Sequence, residues 1–263
     1  MKYYEELIDK KVFDYNDIVG ITGNKGTANN LIYRYKEKGY IKSIKRNLYT
    51  VISLETKQSV ANKFEIGSNI TDSSYISHHS AFSYYGITNQ VFYEIYVSSN
   101  TRFNDFVYDA ITYKFIQSKC EKGIIKPVEN PLIRITDIER TVVDSIKDFE
   151  KIGGLEELLQ CIDLITYLDY EKLYKYLQLY NSQIVYQKTG YILEHFKDEL
   201  KIPGKFFDMC ESKIGKSRRY LYKNLKNEKG IYNGKWQLIV PKNLLSIIRQ
   251  GDDILYQEDT SVF

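Results

Sequence analysis

NKGTANNLIYRYKEKGYIKSIKRNLYTV, Asn24 to Val51, is the stretch that decides how the N-terminal part of this chain folds. From Lys25 to Thr50 it holds seven basic residues (Lys25, Arg34, Lys36, Lys38, Lys42, Lys45, Arg46) and one acid, Glu37, a local +6 in a chain whose net charge is +3. At about 100° per residue, Ala28, Leu31, Ile32 and Tyr35 share one face, so a helix from about Gly26 to Lys38 buries them. Asn29, Asn30, Tyr33 and Arg34 fall on the outward side. Gly39 suits a left-handed helix stop. Ile41–Ile44 and Leu48–Val51 read as short strands, joined through Lys45-Arg46-Asn47 into a basic hairpin over residues 39–50.

Working outward, Lys2–Lys10 is a short helix with Tyr4, Leu7 and Ile8 on one face. Asp14 is an N-cap for a second helix, Tyr15–Ile21, and Thr22-Gly23-Asn24 is the turn before the third. This order is the outline of a winged helix-turn-helix over residues 1–56. In such folds the second helix of the motif enters the DNA major groove. Asn29 and Asn30 suit adenine edges and Arg34 suits guanine, with Tyr33 on the same face. Lys42, Lys45 and Arg46 suit phosphates or the minor groove, and Lys25 and Thr27 at the helix start suit phosphates. The plain alternative is a small helical unit that only packs on its neighbour.

The 263 residues suffice for a sizeable core and more than one unit. No apolar run approaches the roughly 20 residues of a membrane span, and the first residues lack an apolar signal region. Cys120, Cys161 and Cys210 are widely spaced, with no CxxC or Cys/His cluster, so neither a disulfide framework nor a zinc site is expected. A cytoplasmic protein away from membranes follows. A second basic zone, Lys213–Arg249, has ten basic residues against one acid, or +9. The remainder of the chain is therefore at −12.

Past a junction at Glu55–Lys57, a segment of α+β character is expected over 57–150. It comprises a helix Ser59–Ile70, an extended Tyr75-Ile76, a helix capped by Ser77 through Tyr85, strands Phe92–Ser98, Thr112–Gln117 and Ile133–Ile135, and a helix Asp137–Lys147. Residues 151–263 read as mainly helical: Leu155–Ile165, Tyr170–Leu179 and Ile184–Leu200, then a strand Lys235–Val240 and a helix Lys242–Arg249. The expected class is α+β.

Three groups suggest chemistry. His78 and His79 side by side on a helix would point about 100° apart, so one core and one surface histidine is the favoured reading over a metal pair. Asp137, Glu139, Arg140 and Asp144 form the most charged short motif, whose paired carboxylates could bind Mg²⁺ or act as acid and base. They are better read as an N-cap (Asp137), an i,i+4 ion pair (Arg140 and Asp144) and a buried stripe (Ile138, Val142, Ile146). The run KSRRYLYKNLKNEKG, 216–230, alternates basic and aromatic residues and suits either nucleic acid or a solvated face. No Walker A loop, GxGxxG, GxSxG or HExxH occurs. No catalytic residue, metal site or cofactor is expected.

The runs GYIKSIKRNLYTV (39–51), YISHHSAFSYYGITNQVFYEIYV (75–97) and IRITDIERTVVDSI (133–146) resemble the AbiEi family of antitoxins of type IV toxin–antitoxin systems. VYQKTGYILEHF (185–196) and GKWQLIVPKNL (234–244) resemble it too, in the same order. The resemblance implies a winged-helix autorepressor that binds inverted repeats in its own promoter. It also implies a C-terminal part that counteracts a nucleotidyltransferase-like toxin, with direct contact between toxin and antitoxin not required. Lys25, Arg34, Lys45 and Arg46 sit where the family's DNA-contacting helix and wing lie. The chain departs from the family at the wing turn, where Arg46-Asn47 replaces the usual Arg-Gly. Two rival readings stay open: a stand-alone winged-helix regulator with a ligand-sensing or assembly domain, and a nuclease-like enzyme in the middle segment.

Overall fold

A computed structural model describes residues 2–88, 90–118, 120–151, 153–227 and 230–246. It is a mixed α+β structure with three sheets. The chain divides into two compact units, Met1–Ser80 with Phe92–Thr136, and Ala81–Val91 with Asp137–Phe263. These differ from the segments 1–56, 57–150 and 151–263 expected from the sequence. Residues 1–56 group with the central sheet, and the Asp137 helix groups with the C-terminal helices.

The first unit opens with α1 (Tyr4–Lys10), β1 (Val12–Asp14), α2 (Tyr15–Thr22), α3 (Lys25–Glu37), β2 (Ile41–Lys45) and β3 (Leu48–Val51). The strands form an antiparallel sheet in the order β1-β3-β2. Leu7, Phe13, Ile18, Ala28, Leu31, Tyr35, Ile41 and Val51 share one core. Each large aliphatic side chain fully buried there contributes on the order of 1.5–3 kcal/mol. Asp14 caps α2 as expected, in a capping box with Asp17.

Beyond it come α4 (Lys63–Ser68), β4 (Tyr75–Ile76), α5 (His79–Tyr84, whose residues from Ala81 on belong to the second unit), β5 (Glu94–Ser99), β6 (Phe106–Tyr108), β7 (Ile111–Gln117), β8 (Ile124–Ile125) and β9 (Ile135–Thr136). Strands β4 to β9 make a six-stranded sheet, β6-β7-β5-β4-β9-β8, in which β5/β7 and β4/β9 are parallel. The helix expected over Ser59–Ile70 is only α4. Ser59 bridges Ile52, and the Val60 N–H donates to the Val51 carbonyl (2.9 Å), so these residues extend β3 instead of joining the helix.

The histidine reading needs correction. His78 has φ 55° and precedes α5, so the pair does not lie on one helix. Both rings are buried. His78 Nδ1 lies 2.8 Å from Ser77 Oγ, and the His79 ring centroid is 4.0 Å from that of Phe92.

Glu65 joins α4 to the first sheet. Its buried carboxylate accepts from Lys11 Nζ (2.6 Å), Asn130 Nδ2 (2.8 Å) and Asn62 N (2.8 Å). Burial alone would push its pKa up. The hydrogen bonds from Lys11, Asn130 and Asn62 outweigh burial and hold it below the usual carboxylate value. A depressed folded pKa gives stability that is present above the unfolded value near about 4.3 and is lost as pH falls through the folded one. Glu65→Gln is expected to lose about 2 kcal/mol at neutral pH, because an amide cannot accept from all three donors. Melting temperatures measured from pH 3 to 7 should show a shallower acid fall than wild type; equal slopes would remove Glu65 from the acid transition.

The second unit contains α6 (Ile138–Asp148), α7 (Gly154–Asp163), α8 (Tyr170–Tyr180), α9 (Gln183–Glu194) and α10 (Gly204–Glu211). A small sheet follows, of β10 (Arg219–Tyr220), β11 (Ile231–Asn233) and β12 (Leu238–Val240), in the order β10-β12-β11. The expected helix to Leu200 stops at Glu194, and α10 after Pro203 was not expected. The strand expected from Lys235 starts at Leu238, because Gln237 takes φ 50°. The expected helix Lys242–Arg249 runs past Ser246, outside the described residues. Its core gathers Val142, Val143, Ile146, Leu158, Leu177, Tyr186, Phe206 and Trp236.

Here the ITDIERTVVDSI motif forms a helix cap and a buried hydrogen-bonded network. The Asp137 side chain accepts from Arg140 N (2.8 Å) and from Tyr176 Oη (2.5 Å). Arg140 donates from Nε to Asp144 (2.7 Å) and from Nη2 to Tyr180 Oη (3.1 Å), and the Tyr180 hydroxyl donates to Asp144. Glu139 accepts from Asp169 N at 3.1 Å. Ile138 lies at the edge of the buried stripe, only partly covered.

Candidate nucleic-acid interface

The outward side of α3 is held in place by its buried side. Ala28, Leu31 and Tyr35 are buried, Ile32 is half-buried against them, and the Tyr35 hydroxyl donates to the Lys2 carbonyl. Asn29, Asn30, Tyr33 and Arg34 are therefore presented to solvent together, with Tyr33 67% exposed. The turn before α3 is set by Gly23, whose φ of 70° is left-handed and whose N–H donates to Val19 O (2.8 Å).

The start of α3 differs from expectation. Asn24 is its N-cap: Asn24 Oδ1 accepts from Gly26 N (2.8 Å) and Thr27 N (3.1 Å). Those two amides are therefore satisfied within the protein. Thr27 and Lys25 remain exposed, so a phosphate there would meet their side chains more than the helix amides.

The β2–β3 hairpin carries the other cations. An extra residue, Ile44, bulges β2 between Ser43 and Lys45, and buries its side chain. Arg46 and Asn47 form the exposed tip, and Asn47 takes φ 61°, the left-handed turn its side chain tolerates. Lys45 is not free at the tip. Its ammonium lies over the rings of Phe103 (5.3 Å) and Phe106 (5.8 Å), and burial lowers its pKa. Lys42 is exposed with its ammonium 5.4 Å from the Tyr108 ring centroid. Of the three hairpin cations, Arg46 is thus the one without an aromatic contact among the described residues.

A hollow of about 600 Å³ separates α3 from the hairpin tip, lined by Asn29, Tyr33 and Lys36 on one side and Asn47 and Tyr49 on the other. On the opposite flank of α3, Thr27, Asn30, Arg34 and Lys38 edge a second hollow of about 300 Å³. Neither Arg34 nor Arg46 has a carboxylate partner among the described residues. The residues read from the sequence thus lie on two adjoining features, a polar helix face and a hairpin tip. Sequence reasoning missed Asn24 as a cap, although Asn before a helical period is its usual signal. It also missed Tyr15 and Tyr49 as walls of the hollow, which only the tertiary pairing of β1 and β3 brings there.

Among the described residues no helix is long and apolar enough to cross a membrane. Neither a protein-family model nor a curated protein matches the chain. Among solved structures, the RV2827C protein from Mycobacterium tuberculosis is similar in fold, with a TM-score of 0.62 over 95% of this chain and 94% of that one, at 11% sequence identity.

Proposed function

We propose that residues 1–56 form a winged helix-turn-helix that binds duplex DNA, and that the protein is an autorepressing antitoxin of the AbiEi kind. The observation that carries the reading is α3, which exposes Asn29, Asn30, Tyr33 and Arg34 beside a hairpin tip bearing Arg46. α3 enters the major groove, where Asn30 and Arg34 read base edges, and Arg46 and Lys42 hold phosphates on either side. Lys45 props the hairpin on the aromatic rings beneath it more than it contacts DNA. The part of the chain after residue 56 supplies neutralisation of a nucleotidyltransferase-like toxin, a reading that rests on the sequence resemblance.

Asn30→Ala and Arg34→Ala should each lower affinity for the promoter repeats by about 1–3 kcal/mol while leaving shuffled duplex nearly unchanged. Gel shifts on both duplexes measure this; an equal loss on both would make these residues phosphate contacts. Co-expression with a nucleotidyltransferase encoded beside the gene tests the antitoxin half: growth should be rescued by wild type and by both variants. Failure of a well-folded wild-type protein to rescue would leave a DNA-binding regulator only.

A further inference from the structure

The small sheet of the second unit has one buried and one open face. Leu238 and Val240 of β12 point inward, at 0% and 1% exposure. Ile239 between them faces the other way. Tyr220 of β10 and Tyr232 of β11 both pair in register with Ile239. Register partners share a face, so Tyr220, Ile239 and Tyr232 make one row across the three strands. The two tyrosines are 37% and 44% exposed, which leaves ring area open to solvent. They stand about 10 Å apart, twice the strand spacing of about 4.8 Å.

Cations accompany both rings. The Arg218 guanidinium lies 4.6 Å from the Tyr232 ring centroid, and Lys226 Nζ lies 5.8 Å from that of Tyr220. Lys223 is exposed three residues beyond Tyr220, whereas Arg219, exposed too, pairs in register with Leu238 and so belongs to the other face. Among the described residues none of these four side chains pairs with a carboxylate. The one acidic contact here is to the backbone, where the Glu150 carboxylate accepts from Lys223 N (2.9 Å).

We propose that this face, the Tyr220–Ile239–Tyr232 row with Arg218, Lys223 and Lys226, binds a single-stranded nucleic acid. Unpaired bases stack on exposed rings or on a guanidinium lying over one, and unpaired cations follow the phosphates. A duplex hides its base faces and would use the cations without the rings. The site shares no residue with α3 and stands whether or not the duplex reading holds.

The test uses the full chain and fluorescein-labelled ten-nucleotide oligouridylate and oligothymidylate, with a hairpin duplex as comparator, followed by anisotropy. Wild type should bind both single strands, and the tighter of the two identifies RNA or DNA as the source. Tyr220→Ala with Tyr232→Ala should weaken single-strand binding roughly tenfold or more, from the stacking lost at two rings. Tyr220→Phe with Tyr232→Phe should keep it, because stacking needs the ring and not the hydroxyl. Duplex binding should not change in either variant. Arg218→Glu with Lys226→Glu, checked for folding by circular dichroism, should abolish single-strand binding. Absence of single-strand binding by wild type overturns the proposal. So does an alanine variant that binds like wild type, or competition by polyglutamate as effective as by unlabelled oligonucleotide.

Discussion

Arg140→Ala is expected to destabilise the second unit by about 3–5 kcal/mol. The guanidinium is 1% exposed and holds Asp144 and Tyr180 at once. Removing it leaves the Asp144 carboxylate buried beside a hydroxyl, with its charge uncompensated. Burial and the Asp144 carboxylate together keep the Tyr180 hydroxyl protonated, so it remains a neutral donor to Asp144 and brings no compensating charge. The cost belongs to the unpaired acid and not to the pair. Arg140→Met combined with Asp144→Leu and Tyr180→Phe should therefore recover most of the loss. Urea unfolding of the single and triple variants measures both. A triple variant as unstable as the single one would mean that the network's geometry, and not its unpaired charge, sets the stability. The same experiment bears on the motif's chemistry: a triple variant that folds and still rescues growth uses none of these groups in a reaction.

Gly190→Ala is the second large effect. A Cβ at this helical position would come within 2.0 Å of Trp236 Cζ3. Trp236 is fully buried, its Nε1 donates to Glu194 (2.6 Å), and its ring meets Phe207 edge-on at 6.3 Å. The indole is therefore fixed on several sides and cannot yield. Alanine gains up to about 1 kcal/mol of helix propensity over glycine. Overpacking outweighs it, and a net loss of about 3 kcal/mol is expected. Thermal melting of Gly190→Ala alone and with Trp236→Leu checks the cause, since the smaller side chain should relieve part of the loss. Equal melting temperatures for wild type and Gly190→Ala would contradict the close contact.

These two sites show where sequence reading stops. The periodicity of α3 was legible, because Ala28, Leu31 and Tyr35 repeat at helical spacing and the outward residues follow from them. The Asp137 cap and the Arg140–Asp144 pair were legible for the same local reason. Their partners Tyr176 and Tyr180 were not, since nothing local ties α6 to α8. Strands β1, β6, β8, β10 and β11 span two or three residues each, too few for alternation to register. Helix α4 was over-extended, because Ser59 and Val60 have residue types that tolerate a helix but are taken by β3. The hairpin's charge was plain in the sequence. That Lys45 rests on Phe103 and Phe106 was not, because those contacts join residues 58 and 61 positions apart.

The central claim, that α3 and the hairpin tip bind duplex DNA specifically, is tested most directly by titrating the full-length protein against its own promoter fragment and a shuffled duplex. The titration is run at several salt concentrations. The account predicts promoter binding at least about a thousandfold tighter than binding to shuffled duplex. It also predicts that log affinity falls with log salt by roughly 0.9 for each phosphate neutralised, with a shallower slope for Arg46→Ala. Equal affinity for the two duplexes, or an affinity indifferent to salt, would contradict it.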